Sequence, residues 1–233
     1  MKNNSSNQKF KFKSFYSYND LSSYVVNLLE EFLQAKTSNK DRIIIMPGGK
    51  SPIKLYEIIK SKQFDWSGIT ILLSDERLVK HNDINSNYAL INKFFSNGEK
   101  IPKILPDMKD FVKGKEKEFL QEMNLKLKKM PKAALSFFGV GFDGHIASIF
   151  SNSCKISNVE EPFFLTKKKN ESFSRISLSE RYILELKKKF FLVLGENKKN
   201  IIKKIDINDN SIPVNRILNN SQEEVIFLTD IQR

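Results

Sequence analysis

The chain has 233 residues, 40% of them hydrophobic, and a formal net charge of +12. That length and apolar content suffice for the core of one domain, residues 1–233, while the single Cys154 excludes an intramolecular disulfide and, with only His81 and His145 beside it, leaves a poor stock of zinc ligands. Residues 1–8 are polar with no signal-peptide stretch behind them, and the longest apolar runs are strand-sized. These features argue against secretion and a membrane span, and a reducing cytoplasm is the expected setting.

In chain order, residues 10–16 alternate as an entry strand, and 21–34 carry Leu21, Val25, Leu28, Leu29 and Phe32 at helical spacing. Residues 42–46 form an apolar strand that runs into Pro47-Gly48-Gly49-Lys50-Ser51-Pro52, where Ser51 is expected to cap a helix over 53–60 with Pro52 at its first position. Strand 69–73, helix 87–95 and a long charged helix 112–129, ended by Pro131, come next, followed by strand 134–138. The glycine-rich segment after Phe138 leads to His145, which is expected at a helix start. Beyond Phe150 a polar loop runs to Asn158. Short extended pieces 163–166 and 175–178, helix 179–188, strand 190–194, helix 196–205 and a closing strand 225–228 complete the chain. Alternating strands and helices predict an α/β fold with a mostly parallel sheet in three layers.

In such sheets ligands bind beyond the carboxyl ends of the strands. Four polar clusters fall at those positions: Gly48-Gly49-Lys50-Ser51, Asp75-Glu76-Arg77, Asp143-Gly144-His145, and Gly195 with Lys198. The first suits a phosphate, because two glycines let the backbone approach closely and the following helix offers free N–H groups. It lacks the spacing of a nucleoside-triphosphate loop and of a dinucleotide fingerprint. Arg77 can grip an anion bidentately, the plainer reading being an ion pair with Asp75 or Glu76. Lys198 opens a helix, where a lysine opposes the dipole and an anion would explain it. His145 among glycine amides can take a proton near neutral pH, whereas His81 reads as a surface histidine. The lysine clusters at 126–132, 167–169, 187–189 and 203–204 lack interleaved aromatics and read mostly as solvated faces and loops, so a nucleic-acid partner is not expected. The 19 phenylalanines read as core. A monomer is the default.

Taken together and in this order, the clusters resemble the 6-phosphogluconolactonase family of the glucosamine-6-phosphate isomerase-like superfamily. The resemblance rests on Pro47-Gly48-Gly49-Lys50-Ser51-Pro52, Ser74-Asp75-Glu76-Arg77-Leu78-Val79 with Asn85-Ser86-Asn87-Tyr88, and Gly139 through Phe150. Arg175-Ile176-Ser177-Leu178 and Gly195-Glu196-Asn197-Lys198 are weaker signatures. This chain departs from the pattern at Leu72-Leu73-Ser74, where a tryptophan is frequent, at Ser151 in place of a proline, and at Lys50 in place of a small serine.

The resemblance implies a Rossmann-like open sheet and hydrolysis of a phosphorylated sugar lactone. His145 would be the general base with Asp143 orienting the loop or the imidazole. Gly48, Gly49, Ser51, Arg77 and Lys198, with Arg175 in a lesser role, would bind the substrate. No metal or organic cofactor is implied. Two alternatives stand beside this reading. A glucosamine-6-phosphate deaminase-like isomerase is disfavoured because the deaminase glutamate and tyrosine are replaced by Phe150 and Arg77. A non-catalytic sugar-phosphate or nucleic-acid binder is motivated by the net charge.

Overall fold

The computed structural model describes residues 10–35, 42–96, 98–151 and 159–232. The N-terminal octapeptide, Cys154 and the loop to Asn158 fall outside those residues. In chain order the elements are β1 (Phe10–Ser14), α1 (Tyr18–Gln34), β2 (Arg42–Met46), α2 (Ile53–Ser61), β3 (Ile69–Leu73), β4 (Asp75–Arg77), α3 (Asn87–Phe95), β5 (Lys103–Leu105) and α4 (Glu116–Lys128). They continue with β6 (Leu135–Gly139), β7 (Phe163–Thr166), β8 (Arg175–Leu178), α5 (Glu180–Leu184), β9 (Lys189–Val193), α6 (Lys199–Asp206), α7 (Pro213–Asn220) and β10 (Val225–Thr229).

Seven strands form one sheet in the order β1-β10-β9-β6-β2-β3-β5, every pairing parallel. Its central strands are short apolar runs buried along almost their whole length, as required when helices cover both faces. Phenylalanines tie the strands together. Phe137 stacks on its register partner Phe190 at 5.4 Å, and Phe138 meets Phe191 edge-on at 5.6 Å. Phe191 contacts Phe227, which stacks on Phe12 at 4.7 Å. A second, antiparallel sheet, β4-β8-β7, is built from segments that follow β3 and β6.

Strand order reverses between neighbours β2 and β6: the chain leaves β2 toward β3 and β5, and leaves β6 toward β9 and β10 on the other side, where the first strand β1 forms the edge. The loops after β2 and β6 therefore diverge and open a crevice at the carboxyl edge of the sheet.

Several expectations are corrected. The helix after the glycine loop begins at Ile53 with Pro52 as its N-cap and no side-chain cap, because the Ser51 hydroxyl faces Lys198 instead. The helix expected over 112–129 starts only at Glu116, since Gly114 takes a left-handed φ of +91°. No helix starts at His145. Residues 140–150 form successive tight turns, with Gly144 at φ +75° and Ala147 at φ +53°. Lys189, read as solvated, is fully buried and donates to Leu186 O at 2.5 Å. Elements β4, β5 and α7 were not expected. No helix among the described residues is long and apolar enough to cross a membrane.

Candidate active site

The crevice holds a cavity of about 250 Å³ lined by residues from all four polar clusters. Gly48, Gly49 and Ser51 follow β2, Asp75 and Arg77 lie in β4, and His145 belongs to the turns after β6. Lys198 comes from the turn after β9, and Arg175 from β8. Asp143 is absent from the lining and contacts it through His145. His81 is exposed and lies outside.

His145 is held on three sides. Its Nδ1 hydrogen-bonds to Asp143 Oδ1, whose other role is to accept the His145 backbone N–H at 3.2 Å. The Phe150 ring covers the imidazole with centroids 5.1 Å apart. Gly141 makes room for it, since a Cβ there would lie 2.1 Å from His145 Cε1 and Nδ1. The hydrogen bond from His145 holds the Asp143 carboxyl down to about 2, so it is an anion at neutral pH. With Nδ1–H given to that anion, Nε2 is the accepting nitrogen, and it has no protein partner among the described residues. The N–H groups of Gly141 and Gly144 are spent inside the loop on His145 O and Gly141 O, so neither amide is available to an oxyanion.

Three cations, Arg77, Lys198 and Arg175, line the same cavity. Arg77 donates from Nη1 to Asn85 O at 2.7 Å, while its Nε is buried without a hydrogen-bond partner. The ion pair that the sequence allowed does not form: Asp75 lies 3.5 Å from Arg175, and the Glu76 carboxylate accepts the N–H groups of Arg77 (2.6 Å), Asn87 (2.8 Å) and Tyr88. Burial pushes the Glu76 carboxyl up to about 7, although those three amides pull it down. Lys198 is 3% exposed and donates to Val140 O at 2.6 Å and Ser51 Oγ at 3.3 Å. Burial brings it down to about 8, with Asp230 pulling the other way. Arg175 is different, because it makes a two-pronged pair with Glu171 at 2.7 and 2.9 Å that neutralises much of its charge. The Gly49 N–H is directed at Asn87 Oδ1 at 3.3 Å, which leaves those of Gly48, Lys50 and Ser51 without a protein acceptor among the described residues.

Asn87 was the functional candidate passed over. It is buried, lines the cavity and packs so closely on Gly48 that a Cβ there would sit 2.0 Å from its Cγ. Its place in the Asn85-Ser86-Asn87-Tyr88 signature, where Ser86 caps α3 by accepting from Ala89 N at 3.0 Å, was the available signal.

Residues 17–227 match the family described as glucosamine-6-phosphate isomerases/6-phosphogluconolactonase. The chain belongs to that family. It is 27% identical over 214 residues to the 6-phosphogluconolactonase of Helicobacter pylori strain J99, covering 89% of this chain and 92% of the relative. It is also 27% identical to that of Thermotoga maritima, covering 82% and 86% respectively. The crystal structure of a 6-phosphogluconolactonase from Shewanella baltica superposes with a TM-score of 0.82 over 94% of this chain and 97% of that one. At 22% identity that likeness speaks for the fold. The family fold is thus an open parallel sheet flanked by helices, with the four clusters of this family member at its carboxyl edge.

Proposed function

We propose that the chain hydrolyses 6-phospho-D-glucono-1,5-lactone to 6-phosphogluconate, a step of the oxidative pentose phosphate pathway, in the cytoplasm and as a single 6-phosphogluconolactonase-like domain. The relatives carrying that name support the substrate, and the meeting of His145, Arg77 and Lys198 in one cavity carries the mechanism.

His145 Nε2 takes a proton from water as its oxygen attacks the lactone carbonyl carbon. The tetrahedral oxyanion develops inside a cavity whose unpaired fixed charges are cationic, and such pre-set charge stabilises it without reorganisation. Collapse breaks the bond from the carbonyl carbon to the ring oxygen, which receives the proton from Nε2, and the new carboxylic acid ionises in solution. Asp143 keeps Nδ1 protonated and stabilises the imidazolium that forms between the two transfers. At the other end the phosphate is bound by Arg77, Lys198, the Ser51 hydroxyl and the free N–H groups of the glycine loop. Arg175 contributes less because Glu171 already occupies it.

The test is hydrolysis of freshly generated lactone, coupled to an NADP-dependent phosphogluconate dehydrogenase and corrected for spontaneous ring opening. The wild-type protein accelerates the reaction above background, and His145→Ala loses roughly 10²–10⁴-fold in turnover. Equal turnover in the two proteins removes His145 from the mechanism, and no acceleration by the wild type removes the function.

A further inference from the structure

Within the proposed lactonase site, one carboxylate touches both halves of the machinery without facing the reacting atoms freely. Asp75 Oδ2 accepts the Ser148 hydroxyl at 2.6 Å and faces Arg175 at 3.5 Å. Its Oδ1 accepts from Ser74 Oγ at 3.2 Å and from Asn87 Nδ2 at 3.5 Å, and the same Nδ2 donates to Asp75 O at 2.8 Å. Both oxygens are therefore engaged, and Asp75 is 6% exposed.

The two tethers lead in different directions. Ser148 is fully buried three residues after His145, on the turn closed by Ile149 N to Ile146 O at 2.9 Å, and its own N–H is held by Ser177 Oγ at 3.0 Å. That turn is continuous with the bond from Gly141 N to His145 O that closes the histidine loop. Asn87 leads instead to the glycine loop, through its contact with Gly49 N and its packing on Gly48.

We infer that Asp75 is a positioning residue that sets the spacing between the histidine loop and the anion-binding loop, acting through Ser148 on one side and Asn87 on the other. The two arms then control different kinetic constants. Loosening the Ser148 arm misplaces the base and lowers kcat, because proton transfer depends on reacting atoms held to within about 1 Å. Loosening the Asn87 arm disturbs the phosphate seat and raises KM.

The experiment uses the full chain with Ser148→Ala, Asn87→Ala and Asp75→Asn, alone and in pairs with Asp75→Asn, with melting temperatures measured for all. Ser148→Ala is expected to lower kcat about tenfold with KM within about twofold, and Asn87→Ala to do the reverse. Adding Ser148→Ala to Asp75→Asn costs less than about twofold more, since residues acting through a shared partner are not additive, whereas Asn87→Ala keeps its cost there because its 2.8 Å bond is to the Asp75 backbone carbonyl. Independently of turnover, the ring proton resonance of His145, one of two histidines in the chain, moves or broadens in Ser148→Ala and Asp75→Asn and stays in place in Asn87→Ala. Additive effects of Ser148→Ala and Asp75→Asn, or kcat and KM moving together in step with melting temperature, overturn the inference, as does an unmoved His145 resonance in Ser148→Ala. A wild-type protein without lactone hydrolysis defeats the lactonase reading alone, and the resonance then decides on Asp75.

Discussion

Substituting Gly141 by alanine tests the placement of the imidazole by adding a single methyl group. The backbone tolerates the change, because Gly141 lies outside the left-handed region that excludes side chains. The new Cβ would stand 2.1 Å from His145 Cε1 and Nδ1, whereas ordinary contacts begin near 3.4 Å. The ring must retreat by more than about 1 Å, against the Asp143 hydrogen bond and the Phe150 ring, and a displacement of that size costs on the order of 10²-fold in rate. The assay is steady-state lactone hydrolysis with a melting curve alongside. The expected result is a fall in kcat of about 10²-fold with a melting temperature close to wild type. Gly144→Ala is the contrast: it forces φ +75° on an alanine and drives a Cβ to 2.6 Å from Ile212 Cβ, so it lowers stability as well. Wild-type kcat in Gly141→Ala would refute the reasoning, because the imidazole could not then need the position it occupies.

Arg77→Ala removes a guanidinium whose Nε has no protein partner, and losing charge-assisted hydrogen bonds of about 1.5–3 kcal/mol lowers kcat/KM by roughly 10- to 100-fold, chiefly through KM; an unchanged KM contradicts its role at the phosphate. Lys198 sits at about 8, lowered by burial, so it is a cation below that pH and neutral above it. Affinity for the product 6-phosphogluconate, read by calorimetry, therefore falls as pH rises through about 8, and Lys198→Met binds weakly throughout with that fall absent. Asp143, held at about 2, stays ionised across any practical assay range. Asp143→Asn is accordingly expected to lower kcat across the range from about pH 5 to 8, while an unchanged kcat would argue against its role as the imidazole's anionic partner.

The sequence made the sheet legible where burial on both faces leaves its mark. The runs Arg42–Met46 and Ile69–Leu73 match the observed strands residue for residue. Legibility failed where an element exists only through its partners. Asp75, Glu76 and Arg77 have no strand-like pattern, yet they pair with Arg175 to Ser177 and so form a strand. Lys103–Leu105 is a three-residue edge strand that pairs with β3. The helix Pro213–Asn220 has a proline at its first turn and Val214, Ile217 and Leu218 on its buried side, yet no element was expected there. At the site, the four clusters could be read from position after strands alone, and all four contribute to one cavity. The helix expected after His145 could not be corrected from sequence, because the left-handed turn at Ala147 is held by tertiary bonds to Ser148 from the small sheet. Asn87 was obscured for the same reason, as its amide acts on residues 38 and 12 positions away.

In the proposed mechanism one bound sugar acid reaches both the cations and the imidazole of a single cavity. A crystal structure with 6-phosphogluconate tests it most directly. The phosphate is expected within hydrogen-bonding distance of Arg77 and Lys198, and the carboxylate carbon beside His145 Nε2. A phosphate bound elsewhere, or a carboxylate turned away from His145, would contradict it.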